Sequence, residues 1–395
     1  MQLIEGLKQS KPELEQIRRD LHAHPELRFE EHRTADLVAR TLAGWGIEVH
    51  RGLGGTGVVG LIRAGESKRS IGLRADMDAL PIQETNTFSH RSRFDGRMHA
   101  CGHDGHTAML LAAARHLAMS RAFDGNIVLI FQPAEEGGAG ADRMMRDGLF
   151  ERFHCDAVFA LHNWPGLSVG QFAVAPGPML ASTNEFEIRV TGRGGHAAMP
   201  HLTIDPVLTA VQIVQGLQAI VTRARDPNDA AVLSVTMMHA GDATNVIPDV
   251  ARIGGTVRTF ADPVTDLFER RIREVAEHTA RAHGASAAVD FQRTYPPTVN
   301  HAREAQFAAQ VADGVVGAHN VVRNVAPTLG AEDFAFMLKA LPGAYLFIGN
   351  GDGTHRDAGH GAGPCTLHNA SYDFNDELIP IGATFWVRLA EEFLR

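Results

Sequence analysis

Residues 126–138 run NIVLIFQPAEEGG. After Asn126, residues 127–131 form a continuous apolar run without polar alternation, the pattern of a strand buried on both faces, as in parallel sheets covered by helices. The run empties into Gln132, Pro133 and Ala134, then into the adjacent acids Glu135 and Glu136. Two other short β-rich runs end in the same way. Residues 70–73 lead into Arg74-Ala75-Asp76-Met77-Asp78, and 156–161 end in His162-Asn163. In α/β sheets, ligands gather beyond the carboxyl ends of strands. A polar residue is ordinary where a strand leaves a core, but three successive ends bearing acids or histidine suggest a metal or catalytic site.

Outward from these runs, a further strand is expected over 57–62, with helical stretches around 106–119 and 140–146. The first 45 residues carry apolar positions at helical spacing through Leu14, Ile17 and Leu21, and again through Leu37, Val38 and Leu42. Strands alternating with helices imply α/β. The texture changes near Pro176–Pro178. Residues 183–191, TNEFEIRVT, alternate polar and apolar, as a strand with one solvated face does. A helix over 205–221, strands over 232–238 and 251–260, a helix over 263–283 and a strand over 287–293 give the order β-α-β-β-α-β, which suits a small open-faced sandwich. Tyr295-Pro296-Pro297 closes it, and α/β character returns up to a long C-terminal helix from about residue 376. The expected fold class is α/β: a mixed, mainly parallel sheet flanked by helices, built from residues 1–178 and 297–395, with an α+β open-faced sandwich inserted at 179–296.

Composition narrows the function. The 395 residues are 44% hydrophobic and 21% charged, near the globular average, which excludes wholesale disorder. Net charge is −9, lysine occurs only at positions 8, 11, 68 and 339, and no basic block appears, so nucleic acid is not an expected partner. No uninterrupted apolar run is long enough for a membrane span, and the stretch from Thr107 is broken by Arg115 and His116. The first residues, MQLIEGLKQSKPELEQ, lack the apolar region of a secretory signal. Three widely spaced cysteines, at 101, 155 and 365, argue against a disulfide framework and for a reducing, cytoplasmic setting. The 21 histidines are mostly expected as surface scatter.

Residues 99–106, HACGHDGH, precede an apolar helix. In an extended or looped backbone, Cys101 and His103 point the same way and can address one ion. A thiolate near a helix N-terminus is favoured by the partial positive charge of the first-turn amides. A lone cysteine would be read as a small buried hydrophobe; three neighbouring histidines and flanking glycines favour a metal ligand or a reactive thiol. Glu135 and Glu136 diverge, so one can bind metal while the other faces substrate. A carboxylate beside other acids has a raised pKa, which suits a general base. As a plain pair at a helix start they would simply meet the dipole. His368 follows a Gly-rich loop and alone would be a loop histidine. In the insert, residues 192–196 (GRGGH), Asn245 and Arg258 form a second cluster, whose glycines permit close approach of something to the backbone. Turn chemistry explains these glycines and Asn245 equally well.

Ten strings occur in order: RRDLHAHPEL, LRADMDALP, MHACGHDGHTAM, FQPAEEGGAGA, ALHNWPG, GRGGHAAMPH, NVIPD, GTVRTF, GAEDF and LHNASYDFND. With them the chain resembles, over nearly its whole length, the aminoacylase/carboxypeptidase-type superfamily of dinuclear metallopeptidases. It is most similar to the branch of hippurate hydrolases, N-acyl-amino-acid amidohydrolases and plant auxin-conjugate hydrolases. The resemblance implies two divalent ions held by Cys101, His103, Glu136, His162 and His368, with Glu135 as general base. It implies that His196 stabilises an oxyanion, from its own or a partner subunit, and that Asn245 and Arg258 contact the substrate carboxylate. It also implies a homodimer or tetramer formed through the inserted domain, a lid and dimerisation domain.

The sequence departs from the wider superfamily at 76–78. Most members carry a ligating histidine two residues before an aspartate there; Asp76-Met77-Asp78 stands instead. Asp78 is left to orient a ligand from behind. The donor set suits zinc, cobalt or nickel, whereas related enzymes often use manganese. The expected activity is hydrolysis of N-acyl amino acids to a carboxylic acid and a free amino acid. The alternatives are a metallo-dipeptidase or carboxypeptidase with the same site, an amidase with Cys101 as nucleophile, and a non-catalytic binding module.

Overall fold

The computed structural model describes residues 1–356 and 358–395. Packing divides the chain into two compact units. The first comprises Met1–Met179, Val299–Ala326 and Asp333–Arg395; the second comprises Leu180–Thr298 and Pro327–Glu332.

In the first unit, Ser70–Asp76, Gly125–Gln132 and Ala157–Pro165 are central strands of an eight-stranded sheet. Ser70–Asp76 pairs in parallel with both of the others, and Gly343–Gly351 adds in parallel beyond Ala157–Pro165. Gly57–Ala64 and Glu48–Leu53 extend the sheet antiparallel on one side, which makes it mixed. Every residue of Ser70–Asp76 and of Gly343–Gly351 is buried, as the unbroken apolar runs require. Because the four central strands are parallel, their carboxyl ends share one edge. The expected strands are all present; 70–73 and 156–161 run three or more residues further, up to Asp76 and past His162.

The helix His103–Ser120 starts three residues before its expected position. It is buried along most of its length, against the sheet and against Leu378–Phe393. Close approach of the two helices depends on Gly382, where an added Cβ would meet the Met109 sulfur at 2.2 Å. The turn into His103 is made by Gly102 at φ 94°, so Cys101 and His103 sit across a left-handed turn and not along an extended segment.

The second unit carries a four-stranded antiparallel sheet in the order Ala231–Ala240, Val250–Thr259, Thr183–Thr191, Ser286–Tyr295. In Thr183–Thr191 the apolar positions Phe186, Ile188 and Val190 are buried and their neighbours exposed, the alternation of a one-sided sheet. The helices Pro206–Ala219 and Asp262–Ala282 cover the apolar face. The stretch Pro206–Ala224 is long and apolar enough to cross a membrane by length and composition, the one such stretch among the described residues. Glutamines and threonines punctuate it, so it is not an uninterrupted apolar run. Its Ala210, Ile213, Leu217 and Ile220 close the core of this unit.

Candidate metal centre

Three overlapping donor groups form at the sheet edge of the first unit: Cys101, His103 and His162; Cys101, Glu136 and His368; and His103, Glu135 and Glu136. Within each group one ligand atom per residue lies within 4.8 Å of the others. All five sequence-derived ligand candidates, together with Glu135, are therefore brought to one place by four separate segments. Cys101 Sγ lies 3.4 Å from His162 Nε2, and His368 Nε2 lies 3.1 Å from Glu136 Oε1.

The supports of these side chains follow from local structure. The Asp78 carboxylate accepts the backbone N–H of Glu135 at 3.0 Å and of Glu136 at 2.9 Å, and its Oδ1 lies 3.3 Å from His103 Nδ1. His162 Nδ1 donates to the Asn163 carbonyl at 2.6 Å, which turns Nε2 toward Cys101. His368 occupies a left-handed conformation, φ 61°, rare for a residue with a Cβ, and its N–H donates to the Ala100 carbonyl at 2.7 Å.

The donors fit a cation. His103 Nε2 is buried without a hydrogen-bond partner; a buried imidazole nitrogen is costly to leave so unless something else meets it. Thiol, imidazole and carboxylate together suit borderline and soft divalent metals. Burial pushes the Cys101 thiol well up, and the charges of Glu136, Glu135 and Asp76 push it further. Burial drives the His162 imidazole well down, with His106 and His103 adding to it. Burial would lower His103 too, but Asp76 and Asp78 outweigh it and raise that imidazole to about 10. Thiol and imidazoles must give up protons to ligate; a divalent charge at their centre opposes the upward shifts of Cys101 and His103 and adds to the downward shift of His162.

Sequence reading missed what lies behind the donors. Asp76, where a ligating histidine would stand, is buried: Oδ1 accepts from His106 Nδ1 at 2.6 Å and Oδ2 from Arg74 at 2.7 Å. His106 Nε2 in turn accepts the Asn163 backbone N–H at 3.0 Å. Asn163 Nδ2 donates to the Cys101 carbonyl at 2.6 Å, and Tyr372 donates its hydroxyl to Asn163 Oδ1 at 2.5 Å. Asn163 thus joins the Cys101 turn, the His162 strand and the segment after His368. The only sequence signal was Gly102: a Cβ there would meet Asn163 Nδ2 at 2.3 Å and the Tyr372 hydroxyl at 2.5 Å.

In the second unit, His196 and Asn245 are neighbours. Gly195–His196 pairs antiparallel with Val246–Ile247, and the Asn245 carbonyl accepts the Ala197 N–H at 3.0 Å. His196 is exposed, its Nδ1 accepting from the Ala198 N–H. Arg258 lies on Val250–Thr259, with its guanidinium on Thr256 Oγ1 and the Val257 carbonyl. What approaches the glycines of 192–195 is protein: a Cβ at Gly192 would strike the Ile204 carbonyl at 2.1 Å, and one at Gly194 the Ile247 carbonyl at 2.5 Å.

A mainly parallel α/β sheet with this donor cluster at its carboxyl edge is the architecture of an amidohydrolase. The chain belongs to peptidase family M20/M25/M40, whose profile matches residues 72–392. It is 41% identical over 395 residues to a hippurate hydrolase of Campylobacter jejuni, covering all of both chains. It is 40% identical over 383 residues to the IAA-amino acid hydrolase ILR1-like 4 of Arabidopsis thaliana, covering 96% of this chain and 85% of that one. Among solved structures it is similar to YXEP of Bacillus subtilis, a dinuclear metal binding peptidase from the M20 family. That match has TM-score 0.84 and 34% identity, over 98% of this chain and 99% of that one.

Proposed function

We propose that this amidohydrolase cleaves the amide bond of N-acyl amino acids, hippurate-like or N-acetyl and N-aroyl, releasing a carboxylic acid and a free amino acid. The observation that carries the reading is the pairing at 135–136. The Glu136 carboxylate shares donor groups with a thiol and imidazoles, and the Glu135 carboxylate comes within reach of His103 and Glu136 from a backbone held by the same Asp78. A pure binding site has no need of the second acid.

Cys101, His103, Glu136, His162 and His368 would hold two divalent ions, zinc or manganese foremost and cobalt or nickel next. When bound, such ions supply Lewis acidity and make a water more acidic. Glu135 takes the proton from the attacking water and returns it to the leaving nitrogen, so one water is consumed per amide broken. His196 donates to the oxyanion of the tetrahedral intermediate, a contribution of about 3–4 kcal/mol for one well-placed donor. Arg258, with Asn245, holds the amino-acid carboxylate by charge-assisted hydrogen bonds. The second unit acts as lid and dimerisation domain of a homodimer. Three buried free cysteines suit a cytoplasmic setting.

Metal analysis combined with a panel of N-acyl amino acids, N-benzoylglycine included, and dipeptides tests the reading. Metal-dependent release of free amino acid from the acyl substrates is expected. Preference for dipeptides would replace it with the dipeptidase alternative, and activity that survives chelation would overturn it.

A further inference from the structure

Glu31 is a carboxylate that the mechanism above does not use. It is wholly buried, and it stands at the N-cap of the helix His32–Gly44, where an acidic side chain ordinarily serves the first-turn amides. It does not. The amides of Arg33 and Thr34 are met by Glu26, at 2.9 and 2.8 Å, and the Glu31 carboxylate turns the other way. Its Oε1 accepts the N–H of Phe29 at 3.0 Å and of Ala134 at 2.9 Å, and its Oε2 accepts the Thr56 hydroxyl at 2.5 Å.

Both backbone partners are strained. Phe29 has φ 63° and Ala134 φ 54°, the left-handed region that side chains with a Cβ rarely adopt. Such a conformation persists only where its surroundings over-determine it. At Ala134 the next two amides, of Glu135 and Glu136, are bound by Asp78. Three consecutive N–H groups are thus held by two carboxylates. Packing closes the same turn from outside: a Cβ at Gly138 would meet the Ala134 Cβ at 2.7 Å and the Phe29 ring at 3.0 Å.

We propose that Glu31 is a positioning residue for amide hydrolysis: by holding Ala134 left-handed it sets the direction in which Glu135 and Glu136 leave the backbone. The inference rests on the role given to Glu135 above. Burial pushes the Glu31 carboxyl up to about 7, with the Asp78 charge adding to it against the donors that pull it down. What acts at this position is the hydrogen-bond geometry: all three partners donate to the Glu31 oxygens. A glutamine reproduces that geometry, since its amide oxygen can accept both N–H groups while its NH2 donates to Thr56 Oγ1.

The test compares wild type with Glu31→Ala, Glu31→Gln and Thr56→Val in the full chain, by hydrogen exchange of peptides over 131–141 and by turnover of N-benzoylglycine and other N-acyl amino acids. Glu31→Ala should speed exchange of these peptides about tenfold or more while core peptides of the sheet are unchanged. It should lower kcat by about 10- to 100-fold with little change in KM, the usual loss for a group that orients a site residue. Glu31→Gln should restore both to within about twofold, because the hydrogen bonds survive. If Glu31→Ala does not fold, Thr56→Val gives the milder form, with faster exchange confined to 131–141. Wild-type exchange in the alanine or valine variant, a global rise across the unit, or failure of glutamine to restore either property overturns the proposal. If exchange behaves as expected but wild type cleaves no acyl amino acid, the positioning role stands and the function reading falls.

Discussion

The Asp78 carboxylate takes two consecutive amides and so holds the backbone from which Glu135 and Glu136 leave. At this scale the roles are separable by substitution. Glu135→Gln keeps the side-chain shape but removes the proton acceptor. Metal content by mass spectrometry should match wild type while kcat falls by about 100-fold or more, a general base's usual share. Cys101→Ser should lose bound metal, since a hydroxyl is a poor ligand for the borderline and soft metals that a thiolate favours; full metal content would remove Cys101 from the donor set. Ligand types at 101, 103, 135, 136 and 162 were legible because they follow strand ends or precede a helix. His368 was not: its isolation in a loop disappears only when its backbone meets Ala100.

Elements bring these residues together through buried polar ties. Gly102 at the start of His103–Ser120 has both a left-handed backbone and no room for a Cβ. Gly102→Ala should cost on the order of 1–3 kcal/mol, measured by urea unfolding, and should weaken metal binding in parallel, because relief of the clash displaces Asn163 or Tyr372. The helix Lys11–Ala23 is tied in by charge: Arg18 reaches Asp104, Asp373 and Asp376, and His22 bridges Asp104 at 2.9 Å and Glu84 at 3.2 Å. Burial alone would depress His22, but hydrogen bonds and charge from Asp104 and Glu84 outweigh it and raise the imidazole to about 10. A base with a raised folded-state pKa stabilises fully below its ordinary value of 6.5, and that stability is lost as pH rises through about 10. The unfolding free energy of wild type minus that of His22→Gln should therefore be largest near pH 6 and shrink toward pH 10, by on the order of a few kcal/mol. A difference that grows with pH would contradict the pairing. The motif RRDLHAHPEL was legible as a string, but what Arg18 and His22 do was not, because their partners lie more than 60 residues away in sequence.

For the molecule as a whole, each unit has its own core and its own polar cluster. Metal that binds the folded first unit and not the unfolded chain must stabilise it by mass action, about 4 kcal/mol at a thousandfold excess over Kd. Chelation should lower the thermal midpoint, and titration with zinc or manganese should restore it in proportion to log concentration. An unchanged midpoint would exclude a metal held by the clustered donors.

The order of the strands and helices expected between 57 and 293, both kinds of sheet and most of the ligand types follow from the sequence itself, whereas the strands Glu48–Leu53 and Gly343–Gly351 are not among those read from it. Apolar periodicity reports which faces must leave water, and chemistry-bearing residues at strand ends report where a ligand can be met. Tertiary structure alone decided the supporting shell. That Asp76 pairs with His106, that Asn163 links three segments, and that Glu31 abandons its own helix for Ala134 all depend on hydrogen bonds between residues distant in sequence. Such bonds leave no periodic trace. A buried polar group must find a partner, but which one is settled only when the chain has closed around it.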